Sequence, residues 1–106
     1  MDLRLTVDDV TGVFGIMPTP ATPDADEPTA TQTVDTEETR RAVTALEDAG
    51  VNALMLTGTS GEAFALTPEE WRTFTEVAAD AAEEMHILAG PTTLNTRTTI
   101  ERAKFA

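Results

Sequence analysis

The residues best equipped for chemistry lie together in Gly58-Thr59-Ser60-Gly61-Glu62. Two adjacent hydroxyls sit between two glycines. Glycine lets the backbone turn tightly and come close to a ligand. Successive N–H groups in such a turn converge on an anion, and the hydroxyls add further donors. This chemistry suits a small carboxylate or phosphate, although the same composition also serves an ordinary turn between a strand and a helix. The other reactive residues are scattered. His86 is the single histidine and opens an apolar run, where a packing or surface role is expected rather than a catalytic one. Asp24, Asp26 and Glu27 are close in sequence, but their spacing fits no calcium loop. A solvated acidic loop is expected there, and no metal site. The absence of cysteine excludes disulfides and thiolate metal centres.

Positioning that segment takes a strand before it and a helix after it. Val51-Asn52-Ala53-Leu54-Met55-Leu56-Thr57 is a near-continuous apolar run, which suits a parallel strand covered on both faces. It leads directly into Gly58. Thr67-Pro68-Glu69-Glu70 is a helix start, with a cap, proline at the first helical position and Glu at the third. Trp71, Phe74, Val77, Ala78 and Ala81 then form one apolar stripe and read as core. Upstream, Val13-Phe14-Gly15-Ile16-Met17 is a short buried strand closed by Pro18. Residues 18–33, rich in Pro, Thr, Ala and Asp, read as a loop.

Asp35 and Glu38 have capping-box spacing, and Ala42, Val43, Leu46 and Ala49 follow at helical intervals. Gly50 stops that helix where a left-handed residue is needed. His86-Ile87-Leu88-Ala89-Gly90 predicts a third strand. Asn95 or Thr96 caps a third helix with Ile100 and Ala103 facing inward. The order β-α-β-α-β-α predicts right-handed parallel units, as a barrel or as an open doubly wound sheet. No Gly-x-Gly-x-x-Gly follows the first strand, so a dinucleotide fold has no support. The hydroxyl-bearing segment falls at the carboxyl end of the second strand, where parallel α/β folds place their sites. Residues 1–12 are polar and weakly patterned and read as an N-terminal extension to a unit covering 13–106.

The 106 residues carry nineteen acids against seven bases, a net charge of −12. Binding to nucleic-acid phosphates needs clustered Lys and Arg and is therefore not expected. Docking on an anionic membrane is disfavoured for the same reason. No apolar run is long enough to span a bilayer, and Met1-Asp2-Leu3-Arg4 lacks the pattern of a secretory signal. A cytoplasmic protein is the expectation.

The flanking motifs are more specific. Gly58-Thr59-Ser60-Gly61-Glu62, followed by Ala65-Leu66-Thr67-x-Glu69-Glu70, resembles the Gly-Thr-Thr-Gly-Glu…Leu-Thr-x-Glu-Glu signature of the dihydrodipicolinate synthase / N-acetylneuraminate lyase family. Ile16-Met17-Pro18-Thr19-Pro20 is similar to the family's first-strand motif. Gly50-Val51-Asn52-Ala53 and Ala89-Gly90-Pro91-Thr92-Thr93-Leu94-Asn95-Thr96-Arg97 are similar to the stretches around strands two and three. The Met-Pro-Thr-Pro form, the long acidic loop and Thr-Leu-Asn-Thr-Arg look closest to the trans-o-hydroxybenzylidenepyruvate hydratase-aldolase branch. The resemblance covers about residues 12–106.

That resemblance implies an α/β fold, the first three β/α units of a (β/α)8 barrel, with the barrel incomplete. It implies a class I aldolase in which pyruvate or another 2-keto acid forms a Schiff base with a lysine, with no cofactor and no metal. A protonated imine is an electron sink for the carbanion formed on cleavage. Ser60 and Gly61 occupy the positions that bind the keto-acid carboxylate, and Thr59 the position whose hydroxyl joins a tyrosine proton relay. Thr19 and Asn95 lie where neighbouring strand ends line the pocket, and Glu62 is expected to order the turn. Ser60 stands where the main synthase branch has Thr, which keeps the hydroxyl. The family's tyrosine follows strand five and its lysine lies on strand six. This chain has no tyrosine, and its only lysine, Lys104, falls in the third helix on the outer ring, solvated. The expectation is a fragment that supplies the carboxylate-binding loop and is inactive alone. Homo-oligomers are implied for the full-length family. The alternatives are a dihydrodipicolinate synthase-like or N-acetylneuraminate lyase-like branch, or a non-catalytic assembly module.

Overall fold

The computed structural model describes residues 5–106. Three strands, β1 (Phe14–Ile16), β2 (Ala53–Leu56) and β3 (His86–Ala89), alternate with three helices, α1 (Thr36–Asp48), α2 (Pro68–Ala81) and α3 (Thr96–Phe105). The strands form one parallel sheet in the order β1-β2-β3, with Ile16 opposite Met55 and Met55 opposite Leu88. The most apolar strand is thus the central one.

Local sequence sets the helix ends. Asp35 accepts a hydrogen bond from Glu38 N at 2.9 Å and so caps α1. The expected reciprocal bond is replaced, because the Glu38 carboxylate accepts from Arg41 at 2.8 and 2.5 Å instead. Gly50, at φ 93°, ends the helix. Its N–H donates to Glu47 O, and Val51 N donates to Leu46 O, the paired bonds of a Schellman stop. Ala49 is exposed rather than part of the apolar stripe, because the stop places it beyond the last helical turn. The capping box of α2 is complete: Thr67 Oγ1 accepts from Glu70 N, and Glu70 Oε1 accepts from Thr67 N.

The core lies between one sheet face and helices α1 and α2. Leu54 and Leu56 pack there with Met17, Val34, Val43, Phe74, Ala78 and Met85. The loop from Pro18 to Thr33 is closed at its base by an antiparallel bridge between Ala21 and Val34. It is tied to α2 by Glu70, whose carboxylate accepts from Thr33 N at 2.8 Å and from the Thr33 hydroxyl.

Two expectations change. The sheet is covered on one face only among the described residues. On its other face Phe14 is 37% exposed, Ile16 59% and Met55 41%. This is the face that a closed barrel turns inward. Helix α3 also turns differently. Ile100 and Ala103 are exposed, while Arg102 is buried. The surface open to α3 is the aromatic face of Trp71. A guanidinium with an apolar stem covers such a face well. Arg102 lies 5.1 Å from the Trp71 ring centroid, and the Phe105 ring 5.8 Å from it. Arg102 Nε and Nη1 have no partner among the described residues, and burial pushes the guanidinium pKa down.

Candidate functional site

The hydroxyl-bearing segment leaves β2 through Thr57, which is fully buried at φ 54°. A β-branched residue rarely adopts that conformation, and holding it there costs on the order of 1–3 kcal/mol. Two hydrogen bonds hold its hydroxyl, and a third ties their partners together. Thr57 Oγ1 donates to Gly90 O at 2.9 Å, and Trp71 Nε1 donates to both Thr57 Oγ1 (3.1 Å) and Gly90 O (3.0 Å). Gly90 N in turn donates to Leu56 O at 3.0 Å, joining the carboxyl ends of β2 and β3.

Beyond Thr57 the chain makes a tight turn. Gly61 N donates to Gly58 O at 3.1 Å and Glu62 N to Thr59 O at 3.2 Å. Glu62 is also left-handed, at φ 59°, and opens a short 3-10 turn, Ala63–Ala65, that delivers the chain to Thr67. The strained residues are therefore Thr57 and Glu62, not the motif's glycines. Gly61 is required for space: a Cβ there would lie 2.8 Å from Thr57 N. Gly58 has open space around it. The expectation that both glycines free the backbone thus becomes a close approach at Gly61 alone.

Thr59 and Ser60 sit at the apex, exposed. Neither their hydroxyls nor their backbone N–H groups donate to any described residue. Thr19, buried beyond the end of β1, donates its hydroxyl to Gly61 O at 2.7 Å. The structure thus brings Thr19, Thr59, Ser60 and Gly61 together at the carboxyl ends of β1 and β2. The other candidates make contacts of their own. Asn95 Oδ1 accepts from Thr98 N at 2.9 Å and caps α3. Lys104 is exposed near the end of α3. His86 begins β3, at the opposite end of the sheet, with Nε2 3.9 Å from Asp9 Oδ1.

Two clefts lie away from the turn. Glu47, Asp48, Glu83 and Glu84 line one with Thr44 and Ala81, and this acidic wall repels a carboxylate. Asn95, Thr96 and Arg97 line the other. Glu47 also accepts from the backbone N–H groups of Glu83, Glu84 and Met85. Those bonds hold its pKa below the ordinary 4.5, that of Glu83 contributing most.

Sequence reasoning placed Thr57 in a strand and Trp71 in the core, and so missed their joint role. A signal existed. A buried indole N–H needs an acceptor, and this chain has one tryptophan.

Parallel β/α units with a donor-bearing turn at the carboxyl ends of their strands place the protein in the α/β class, as a barrel or an open doubly wound sheet. Comparison with known proteins gives the family. The chain belongs to the dihydrodipicolinate synthetase family, which matches residues 11–106. It is 48% identical over 94 residues to the trans-O-hydroxybenzylidenepyruvate hydratase-aldolase of Sphingobium xenophagum, covering 88% of this chain and 29% of that protein. The enzyme of the same name from Pseudomonas putida is 42% identical over 102 residues, covering 95% of this chain and 31% of that protein. Among solved structures, PhdJ bound to substrate intermediate superposes with a TM-score of 0.92 at 47% identity, over 98% of this chain and 32% of that one. N-acetylneuraminate lyase from Mycoplasma synoviae superposes with a TM-score of 0.81 at 28% identity, over 95% of this chain and 33% of that one. The chain spans less than a third of the length of these two curated hydratase-aldolases. The three units are accordingly the first three of a (β/α)8 barrel.

Proposed function

We propose that the chain supplies the 2-keto-acid carboxylate-binding turn of a Schiff-base-forming pyruvate aldolase, of the hydratase-aldolase branch. The observation that carries this reading is the apex of the turn. Thr59 and Ser60 present two hydroxyls and two N–H groups without described partners, on a backbone held from beneath. Preorganised donors of this kind favour an anion because they need not reorganise to meet it. In this reading Ser60 takes the carboxylate, helped by the Gly61 N–H shared with Gly58 O. Thr59 occupies the relay position. Thr19 borders the same pocket and steadies Gly61 through its carbonyl. Lys104 takes no part, and the isolated chain is inactive, without cofactor or metal. A cytoplasmic location and homo-oligomeric assembly belong to the same reading.

Calorimetric titration with pyruvate tests it. Weak binding that Ser60→Ala abolishes is the expected result, whereas equal binding by Ser60→Ala would contradict it. Borohydride trapping with pyruvate gives a second arm. A stable adduct on Lys104 would overturn the assignment of an inactive fragment.

The open sheet face favours a second reading, a non-catalytic subunit. Ile16, Met55 and Leu88 form one row across that face, and exposed apolar area of this kind marks a contact surface. The occupant in this reading is a second copy of the chain. Sedimentation equilibrium decides it, since a chain that stays monomeric as concentration rises has no such partner.

A further inference from the structure

We infer that Trp71 is a positioning residue for the carboxylate turn, acting through its indole N–H rather than only through its bulk. The inference rests on the reading of Gly58–Glu62 as that turn. Trp71 is fully buried and lies on α2, behind the sheet. Burial alone asks only that its N–H find some acceptor. Here Nε1 reaches across to the carboxyl ends of two strands and donates to Thr57 Oγ1 and Gly90 O at 3.1 and 3.0 Å. Thr57 Oγ1 donates to the same carbonyl. The three groups close a triangle around the one residue of β2's exit whose backbone is left-handed.

The geometry leaves little slack. A Cβ on Gly90 would lie 2.8 Å from both Leu56 O and Thr57 O. A Cβ on Gly61 would meet Thr57 N and Cα. Gly90 and Gly61 both lie close against the Thr57 backbone, so the φ of Thr57 sets the direction in which the turn leaves the strand. Without the indole bond, Thr57 Oγ1 loses its donor and Gly90 O loses one of two. The unfavourable backbone conformation is then less well held, and the apex donors of Thr59 and Ser60 shift with it.

The experiment uses the 106-residue chain, labelled with nitrogen-15, and three substitutions. Trp71→Phe keeps a ring and removes the N–H. Thr57→Val keeps the β-branch and removes the hydroxyl, and Thr57→Ser keeps the hydroxyl. Amide exchange and pyruvate titration are read for each. Trp71→Phe and Thr57→Val are expected to keep exchange protection along α2 while losing it at Gly61 and Glu62. Each is expected to weaken pyruvate binding about tenfold, the equivalent of one lost hydrogen bond. Thr57→Ser retains both properties, and the double variant is no weaker than either single one. The single indole N–H resonance moves in Thr57→Val and stays in Thr57→Ser. If Trp71→Phe does not fold, Thr57→Val decides alone by the same readouts.

A folded Trp71→Phe chain with turn protection intact overturns the inference, as do additive losses in the double variant. A wild-type turn that exchanges at unstructured rates overturns it too. A protected wild-type turn that ignores pyruvate instead defeats the carboxylate reading, and the exchange comparison then decides the positioning role by itself.

Discussion

At the scale of residues, the turn separates two uses of glycine. Gly61 is needed because its neighbour's backbone is too close for a Cβ, whereas Gly58 has open space. Gly61→Ala is expected to lower stability by about 1–3 kcal/mol, as overpacking does, and to weaken pyruvate binding. Gly58→Ala is expected to leave the melting temperature unchanged or slightly raised. Thermal melts of the two variants check this, and equal losses would contradict it. The Thr59–Ser60 doublet stood out in the sequence through the motifs that flank it, since hydroxyls between glycines also serve ordinary turns. The conformation of Thr57 was not legible. A β-branched residue at the end of an apolar strand reads as extended, and only a tertiary contact from a helix 14 positions on overrides that preference.

At the scale of elements, caps and stops were legible because they rest on contacts a few residues apart. Asp35, Gly50 and Thr67 act where their spacing put them. The inward face of α3 was not legible. Apolar periodicity pointed to Ile100 and Ala103, but the neighbouring surface is the Trp71 ring, which takes Arg102. Its buried Nε and Nη1, without a partner among the described residues, cost stability. Arg102→Met keeps the apolar stem and removes the charge. It is expected to raise the melting temperature, and a fall would show a partner for the guanidinium.

Glu70 joins the loop after β1 to α2. Burial raises its pKa, but hydrogen bonds from the Thr33 hydroxyl and from the N–H groups of Thr67 and Thr33 outweigh this and leave it below the ordinary 4.5. A carboxyl depressed in the folded state contributes stability above its unfolded pKa. That contribution is lost as pH falls through the lower, folded value. Glu47 acts in the same direction. Glu70→Gln is expected to cost about 2 kcal/mol near neutral pH and to flatten the acid limb of the stability curve below the ordinary value. Urea melts between neutral and acid pH check both the size and the slope.

At the scale of the whole molecule, charge and the open sheet face dominate. A net charge of −12 makes the chain repel itself. Added salt is expected to raise the melting temperature by screening, and a flat response would exclude that repulsion as a limit. The parallel β/α order was legible from alternating periodicity. The uncovered face was not, because a near-continuous apolar run reads as buried on both sides whichever layer is present. Relatives about three times as long carry the same three units at their matched segments.

The central claim is that the Thr59–Ser60 apex binds a 2-keto-acid carboxylate. The most direct measurement is a pyruvate titration of the labelled chain followed by amide resonances, with acetone as the carboxylate-free control. Saturable shifts centred on Thr59, Ser60 and Gly61 are expected with pyruvate, none with acetone, and none in Ser60→Ala. Shifts centred elsewhere, or equal shifts with acetone, would contradict it.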